Sequence, residues 1–82
     1  MTGVEREKSL RLITVFPNTT AAMAMERSCR QEGLPGRIIP VPRSISASCG
    51  MAWCAQPEWR EALEKLTQDR TIPVEGWYYV ML

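Results

Sequence analysis

The stretch LRLITVFPNTTAAMAMERSCRQEG, residues 10–33, decides the fold, because it contains one complete strand and one complete helix. Residues 10–16 are apolar and rich in β-branched side chains, and Pro17-Asn18 ends them, which predicts a β-strand. Residues 21–32 repeat apolar side chains with helical spacing, and Gly33 is suited to end a helix in the left-handed conformation. The apolar face of this helix comprises Ala22, Met25 and Cys29.

The rest of the chain continues with two short strands, a helix and a final strand. Residues 37–41 and 50–55 predict the short strands, joined by the polar connection 42–48. Pro57 suits the first turn of a helix, where its missing N–H breaks no hydrogen bond, and residues 76–81 predict the last strand. The apolar stripe of the second helix comprises Trp59, Ala62, Leu63 and Leu66. The order β-α-β-β-α-β predicts an α+β, ferredoxin-like split βαβ fold, with an antiparallel sheet in the order 4-1-3-2 and both helices on one face.

Chain length and net charge restrict the number of domains and the kinds of binding partner that the sequence suits. The 82 residues suit one domain, and we assign residues 10–82 to it and residues 1–9 to a flexible polar leader. Ten Lys and Arg residues against nine Asp and Glu residues give a net charge of +1, which argues against binding of nucleic acid or of an anionic membrane. No apolar run is long enough to cross a bilayer, and no apolar segment follows Glu5 and Glu7 as it does in a secretory signal. The sequence therefore predicts a cytoplasmic protein.

The chain contains three cysteines and no histidine. The absence of histidine excludes Ser-His-Asp triads, Cys-His dyads and zinc sites of mixed Cys and His ligands. Cys29, Cys49 and Cys54 form no C-x-x-C pair, and their odd number does not suit a disulfide framework. We therefore expect reduced thiols, no metal site and no cofactor.

The predicted topology gives Cys49 a distinct environment. The third strand starts beside the end of the first strand, so Cys49 and Gly50 are expected near Thr19 and Thr20, whose hydroxyls are predicted to cap the first helix. The positive end of the helix dipole favours a thiolate there, and Gly50 allows a ligand to approach the sulfur closely.

The other two cysteines are predicted to pack rather than react. Cys29 belongs to the buried face of the first helix. Cys54 is expected about 17 Å along the strand from Cys49, on the opposite face of the sheet, which excludes a disulfide between the two. For Cys49 itself the spacing leaves two interpretations open, an inert loop cysteine and the most reactive thiol of the chain.

The connection between the second and third strands carries a motif. Residues 40–50, PVPRSISASCG, resemble the P-x-P-x-x-[IL]-S-x-S-C-G signature of the small Se/S carrier protein-like domains. Residues 16–22, FPNTTAA, and residues 33–35, GLP, are similar to two further segments of that family, and the resemblance covers residues 10–80. It implies that Cys49 carries sulfur or selenium, and that the partners are proteins which donate and accept the chalcogen.

A carrier thiol has to be nucleophilic and exposed, and several residues near Cys49 suit that task. The serine hydroxyls and the backbone N–H groups of these residues are candidates to hydrogen-bond a persulfide or selenide anion, and the arginine is a candidate to add positive charge. The alternative explanations are turn and cap formation for the serines and a solvated loop charge for the arginine. These candidates are Arg43, Ser46, Ser48, Gly50, Thr19 and Thr20. The predicted function is a sulfur or selenium carrier or thiol relay rather than a turnover enzyme. The alternative is a non-catalytic interaction or ligand-sensing module with an inert Cys49.

The predicted sheet leaves one face open, since both helices pack on the other. Alternation places Ile13 and Val15 on one face of the first strand and Leu12, Thr14 and Phe16 on the other, so either face carries large apolar side chains. Proteins that stay monomeric seldom expose such a patch. The sequence therefore predicts a homodimer, or a contact with a partner, through the open face.

Overall fold

The computed structural model of the protein describes residues 8–46 and 50–82. Within these ranges the strands and helices follow one another in the predicted order. The strands are β1 Leu10–Val15, β2 Arg37–Pro40, β3 Met51–Ala55 and β4 Gly76–Met81, and the helices are α1 Thr19–Glu32 and α2 Arg60–Asp69, the second entered through a 3-10 turn at Pro57–Trp59. Leader residues 1–7 and the motif residues Ser48 and Cys49 lie outside the described ranges, so what the sequence predicts for them stays a prediction.

The four strands form one antiparallel sheet in the order β2-β3-β1-β4, which is the order 4-1-3-2 read from the other edge. Val15 pairs with Ala52, so β1 ends and β3 begins at the same end of the sheet. Pro40 pairs with Met51, which brings the end of β2 to that end as well. The α+β class and the antiparallel sheet are confirmed.

The two helices pack against the same face of the sheet and bury the main core. Leu63 is fully buried and Leu66 nearly so, while Trp59 and Ala62 are half-buried. The apolar stripe predicted for the second helix is therefore the surface that meets the sheet. The core residues of this layer are Leu12, Phe16, Ala21, Ala22, Met25, Cys29, Trp53, Ala55, Leu63, Leu66 and Ile72.

Helix α1 begins two residues earlier than predicted, because a different residue caps it. Asn18 has an extended backbone, and its side-chain oxygen accepts a hydrogen bond from the Ala21 N–H at 2.8 Å. Asparagine is as good an N-cap as serine or threonine, so Thr19 and Thr20 become the first two residues of the helix instead of its caps. Gly33 ends the helix in the left-handed conformation at φ 72°, as predicted.

The second face of the sheet is covered at its centre by the chain itself. Val41 and Ile45, which follow β2, pack against the apolar side chains of this face. The Ile45 N–H donates to the Pro42 carbonyl oxygen at 2.9 Å and closes a turn that returns the chain to the sheet. The large apolar side chains of β1 on this face are therefore not exposed, contrary to the prediction. The buried residues of the second face are Ile13, Val15, Ala52 and Cys54.

Candidate functional site

Three segments of the chain meet at the end of the sheet where β1 stops. Gly50 directly precedes β3, and its carbonyl oxygen accepts a hydrogen bond from the Val41 N–H at 3.1 Å, which ties the start of β3 to the end of β2. Pro17 and Asn18 leave β1 at this same end and lead into α1. The described residues of the motif therefore lie at the end of the sheet from which α1 starts.

The start of α1 is electrostatically positive. Its first turn contains no Asp or Glu to offset the helix dipole. The Asn18 side chain accepts the Ala21 N–H, and the Asn18 carbonyl accepts the Ala22 N–H at 3.3 Å. Within the described residues, the N–H groups of Thr19 and Thr20 have no acceptor, and both residues are exposed. Free N–H groups at a positive helix end favour an anion.

The motif loop follows β2, and its described residues, 41–46, are held by their apolar side chains and expose their polar ones. The turn closed by Pro42 and Ile45 places Arg43 and Ser44 at its corner, where both are exposed, and Ser46 after it is exposed as well. Arg43 forms no ion pair with another described residue. The anchoring role of Ile45 was not predicted, although a single large apolar side chain among polar neighbours was a signal for it.

Gly50 adopts φ 74°, a left-handed conformation that side chains other than glycine rarely take. Apart from the two chain neighbours of Gly50, no atom of a described residue lies within 4 Å of the position that a Cβ on Gly50 would occupy. The backbone conformation, and not a close neighbour, is therefore what requires glycine here.

Both cysteines in the described ranges are buried, free thiols. Cys29 is fully buried in the core between α1 and the sheet, and burial raises the pKa of its thiol from 9.0 to about 11. Cys54 lies on the second face of the sheet and is 8% exposed. Both residues are buried, as the prediction of packing roles requires, and the sheet between them excludes a disulfide.

The raised pKa of Cys29 leads us to expect a loss of stability at alkaline pH. Above pH 9.0 the thiol ionises in the unfolded chain but stays protonated in the folded state, which favours unfolding. The contribution of Cys29 to the free energy of unfolding is therefore complete below pH 9.0 and is lost as the pH rises towards about 11. Urea unfolding at about pH 8 and about pH 10.5 should show a larger fall of the wild-type midpoint than of the Cys29→Ala midpoint. Equal falls in the two proteins would contradict the expectation.

Two classes of site are not seen in the described part of the chain. No group of three or more Cys, Asp or Glu side chains there is arranged to hold a metal ion. Neither of the described helices has the length and apolar character needed to cross a membrane.

A known protein family matches most of the chain. A sequence model of the family described as "Putative Se/S carrier protein-like" matches residues 11–79, from β1 through the motif loop into β4. The chain belongs to this family. The resemblance seen in the PVPRSISASCG motif is thereby confirmed. No curated protein and no solved structure matches this Se/S carrier-like domain.

In this Se/S carrier-like domain, the predicted site residues fall into three groups. Gly50 lies at the sheet end from which Thr19 and Thr20 start α1. Arg43 and Ser46 are exposed on the loop that leads from β2 towards the motif cysteine. Cys49 and Ser48 lie outside the described residues.

Proposed function

We propose that this domain is a carrier of sulfur or selenium, or a thiol relay, that uses Cys49. The observation that supports the proposal most directly is the position of Gly50, which is covalently bonded to Cys49 and lies at the sheet end where α1 starts. Consecutive Cα atoms are about 3.8 Å apart. On this proposal the Cys49 thiol works beside the positive end of α1.

The chemistry of loading fits this environment. A Cys49 thiolate attacks the outer sulfur of a donor persulfide, the donor sulfur–sulfur bond breaks, and the donor leaves as a thiolate. The new persulfide on Cys49 is itself an anion near neutral pH. The groups proposed to stabilise it are the N–H groups of Thr19 and Thr20 and the charge of Arg43, none of which pairs with another described residue.

A carrier has to keep its cargo from being discharged by a neighbouring thiol. Cys29 and Cys54 are both buried, on opposite sides of the sheet. The pKa of Cys29, raised to about 11 by burial, keeps that residue in the unreactive thiol form. On this proposal the chalcogen stays on Cys49 until an external acceptor removes it. Free thiols suit a reducing compartment such as the cytoplasm.

Intact mass spectrometry tests the proposal. The reduced protein is incubated with a small-molecule persulfide (R–S–SH) and, in a second arm, with the corresponding perselenide (R–S–SeH), from which a thiolate leaves when Cys49 attacks the outer atom, and excess donor is removed. We expect one added sulfur or selenium atom per chain, recovered on the peptide that contains Cys49. A protein that acquires no chalcogen, or acquires it on Cys29 or Cys54, contradicts the proposal and favours an interaction module.

A homodimer through the second face of the sheet is a further part of the proposal, and the observed packing limits it to β4. Tyr78 pairs with the buried Ile13 and so lies on this face, where it remains 40% exposed. Val80, on the same face, is half-buried. These two side chains are the apolar surface that a second copy would cover.

Sedimentation equilibrium at micromolar concentration tests the homodimer. We expect a mass of twice the 9.3 kDa of one chain, and we expect Tyr78→Glu to give monomers with an unchanged circular dichroism spectrum. Tyr78 suits the test better than Val15, because Val15 is fully buried and its replacement by Glu would unfold the domain. A wild-type mass of 9.3 kDa contradicts the homodimer.

A further inference from the structure

A concave site lies at the end of the sheet opposite to the motif loop. A cavity of about 460 Å³ opens where β1 and β2 begin and β3 ends. Its wall includes the side chains of Arg11, Arg37 and Cys54. No step of the proposed carrier chemistry uses this cavity.

The strand register places the two arginines on either side of β3. Arg37 of β2 pairs directly with Cys54, and Ile13 of β1 pairs with Cys54 from the other side. Arg11 lies two residues before Ile13 and therefore on the same face of the sheet. Neighbouring strands are about 4.8 Å apart, so β1 and β2 are about 10 Å apart across β3. Arg11 also lies two residues, or about 7 Å, along β1 from the level of Arg37, so the two Cα atoms are about 12 Å apart. Two long arginine side chains can bracket a small anion across that distance.

The charges of these arginines are not neutralised by the described residues. Neither Arg11 nor Arg37 forms an ion pair with another described residue. The ion pairs in the described part of the chain are formed by Arg30, Arg60 and Arg70. Two guanidinium groups that line one cavity repel each other, and a bound anion relieves that repulsion. The planar guanidinium fork matches the oxygen atoms of phosphate and sulfate in bidentate hydrogen bonds.

We propose that this cavity binds a tetrahedral oxyanion with two negative charges, of the phosphate or sulfate class, between Arg11 and Arg37 and against the Cys54 side chain. The site is built from strands at the sheet end opposite to Gly50. It therefore stands independently of the role of Cys49. The loop residue Gly36 and Gln56, which follows β3, complete the wall near the ligand.

Amide chemical shifts of the reduced full-length protein test the proposal. Inorganic phosphate, sulfate and nitrate are titrated in separate arms at constant ionic strength, and the arms with the dianions show which of the two the cavity prefers. We expect saturable shifts at Gly36, Cys54 and Gln56 with the dianions and much weaker shifts with nitrate. Arg11→Gln and Arg37→Gln should each weaken binding about tenfold or more, which is the expected loss of a charge-assisted contact.

The matched control is Arg27→Gln, since Arg27 is an exposed arginine on α1 that does not line the cavity. This variant should bind the dianions with wild-type affinity. Thermal unfolding of each variant verifies that it is folded, and Arg37→Met, which also removes the charge but keeps a long unbranched side chain, replaces Arg37→Gln if that protein is unstable. Shifts that do not saturate, or an affinity that the Arg11 and Arg37 variants leave unchanged, overturn the proposal.

Discussion

Replacement of Cys49 by Ala is expected to abolish loading by a persulfide or perselenide donor completely. The thiolate is the nucleophile of the reaction, and the buried thiols of Cys29 and Cys54 cannot take its place. Intact mass spectrometry of the variant, after the same donor incubation as the wild type, should show only the unmodified chain. The matched control is Cys54→Ala, which should load to the same extent as the wild type.

The outcomes of this experiment separate the two functions proposed for the domain. Loss of loading in Cys49→Ala alone supports a carrier. Loading that Cys54→Ala removes would assign the chemistry to the second face of the sheet. If the wild-type protein and Cys49→Ala both stay unmodified, Cys49 does not load and the domain is the alternative, a non-catalytic interaction module.

Leu63→Ala is expected to lower the stability of the domain more than any substitution on its surface. Leu63 is fully buried between α2 and the sheet, and truncation of a buried Leu to Ala costs about 2–5 kcal/mol. A domain of this size has a total stability of roughly 5–10 kcal/mol. Since about 1 kcal/mol shifts Tm by 4–8 °C in small domains, Tm should fall by about 10 °C or more.

The control for this substitution lies two residues away on the same helix. Lys65 is exposed, and Lys65→Ala should change Tm by no more than about 4 °C, since surface substitutions are usually within about 0.5 kcal/mol. Thermal unfolding by circular dichroism measures both variants. A Leu63→Ala protein that melts within a degree or two of the wild type would mean that α2 does not depend on this contact.

Local patterns in the chain determined the elements and the family. The helical spacing of Met25 and Cys29, and of Leu63 and Leu66, defines the faces that the structure buries against the sheet. These predictions hold because burial of an apolar stripe depends on spacing within one segment. The motif in residues 40–50 likewise identifies the family, because its residue types and order are contiguous.

The tertiary structure decided which of several suitable residues take each role. Asn18, Thr19 and Thr20 are all chemically able to cap α1, and Asn18 does so because it is the residue whose backbone is extended where the chain leaves β1. Ile45 belongs to a polar connection, and its packing depends on a turn that carries it back onto the sheet.

The cavity at the opposite end of the sheet depends on strand register alone. Arg11, Arg37 and Cys54 are far apart in the sequence and belong to three different strands. Each is ordinary in its own segment, and nothing in the local pattern links them. They line one cavity because pairing of β3 with both β1 and β2 brings Arg37 to the level of Cys54 and Arg11 to within two residues of that level. The sequence by itself determines the side-chain types within each segment, whereas contacts between residues of separate strands depend on how the strands pair in the folded sheet.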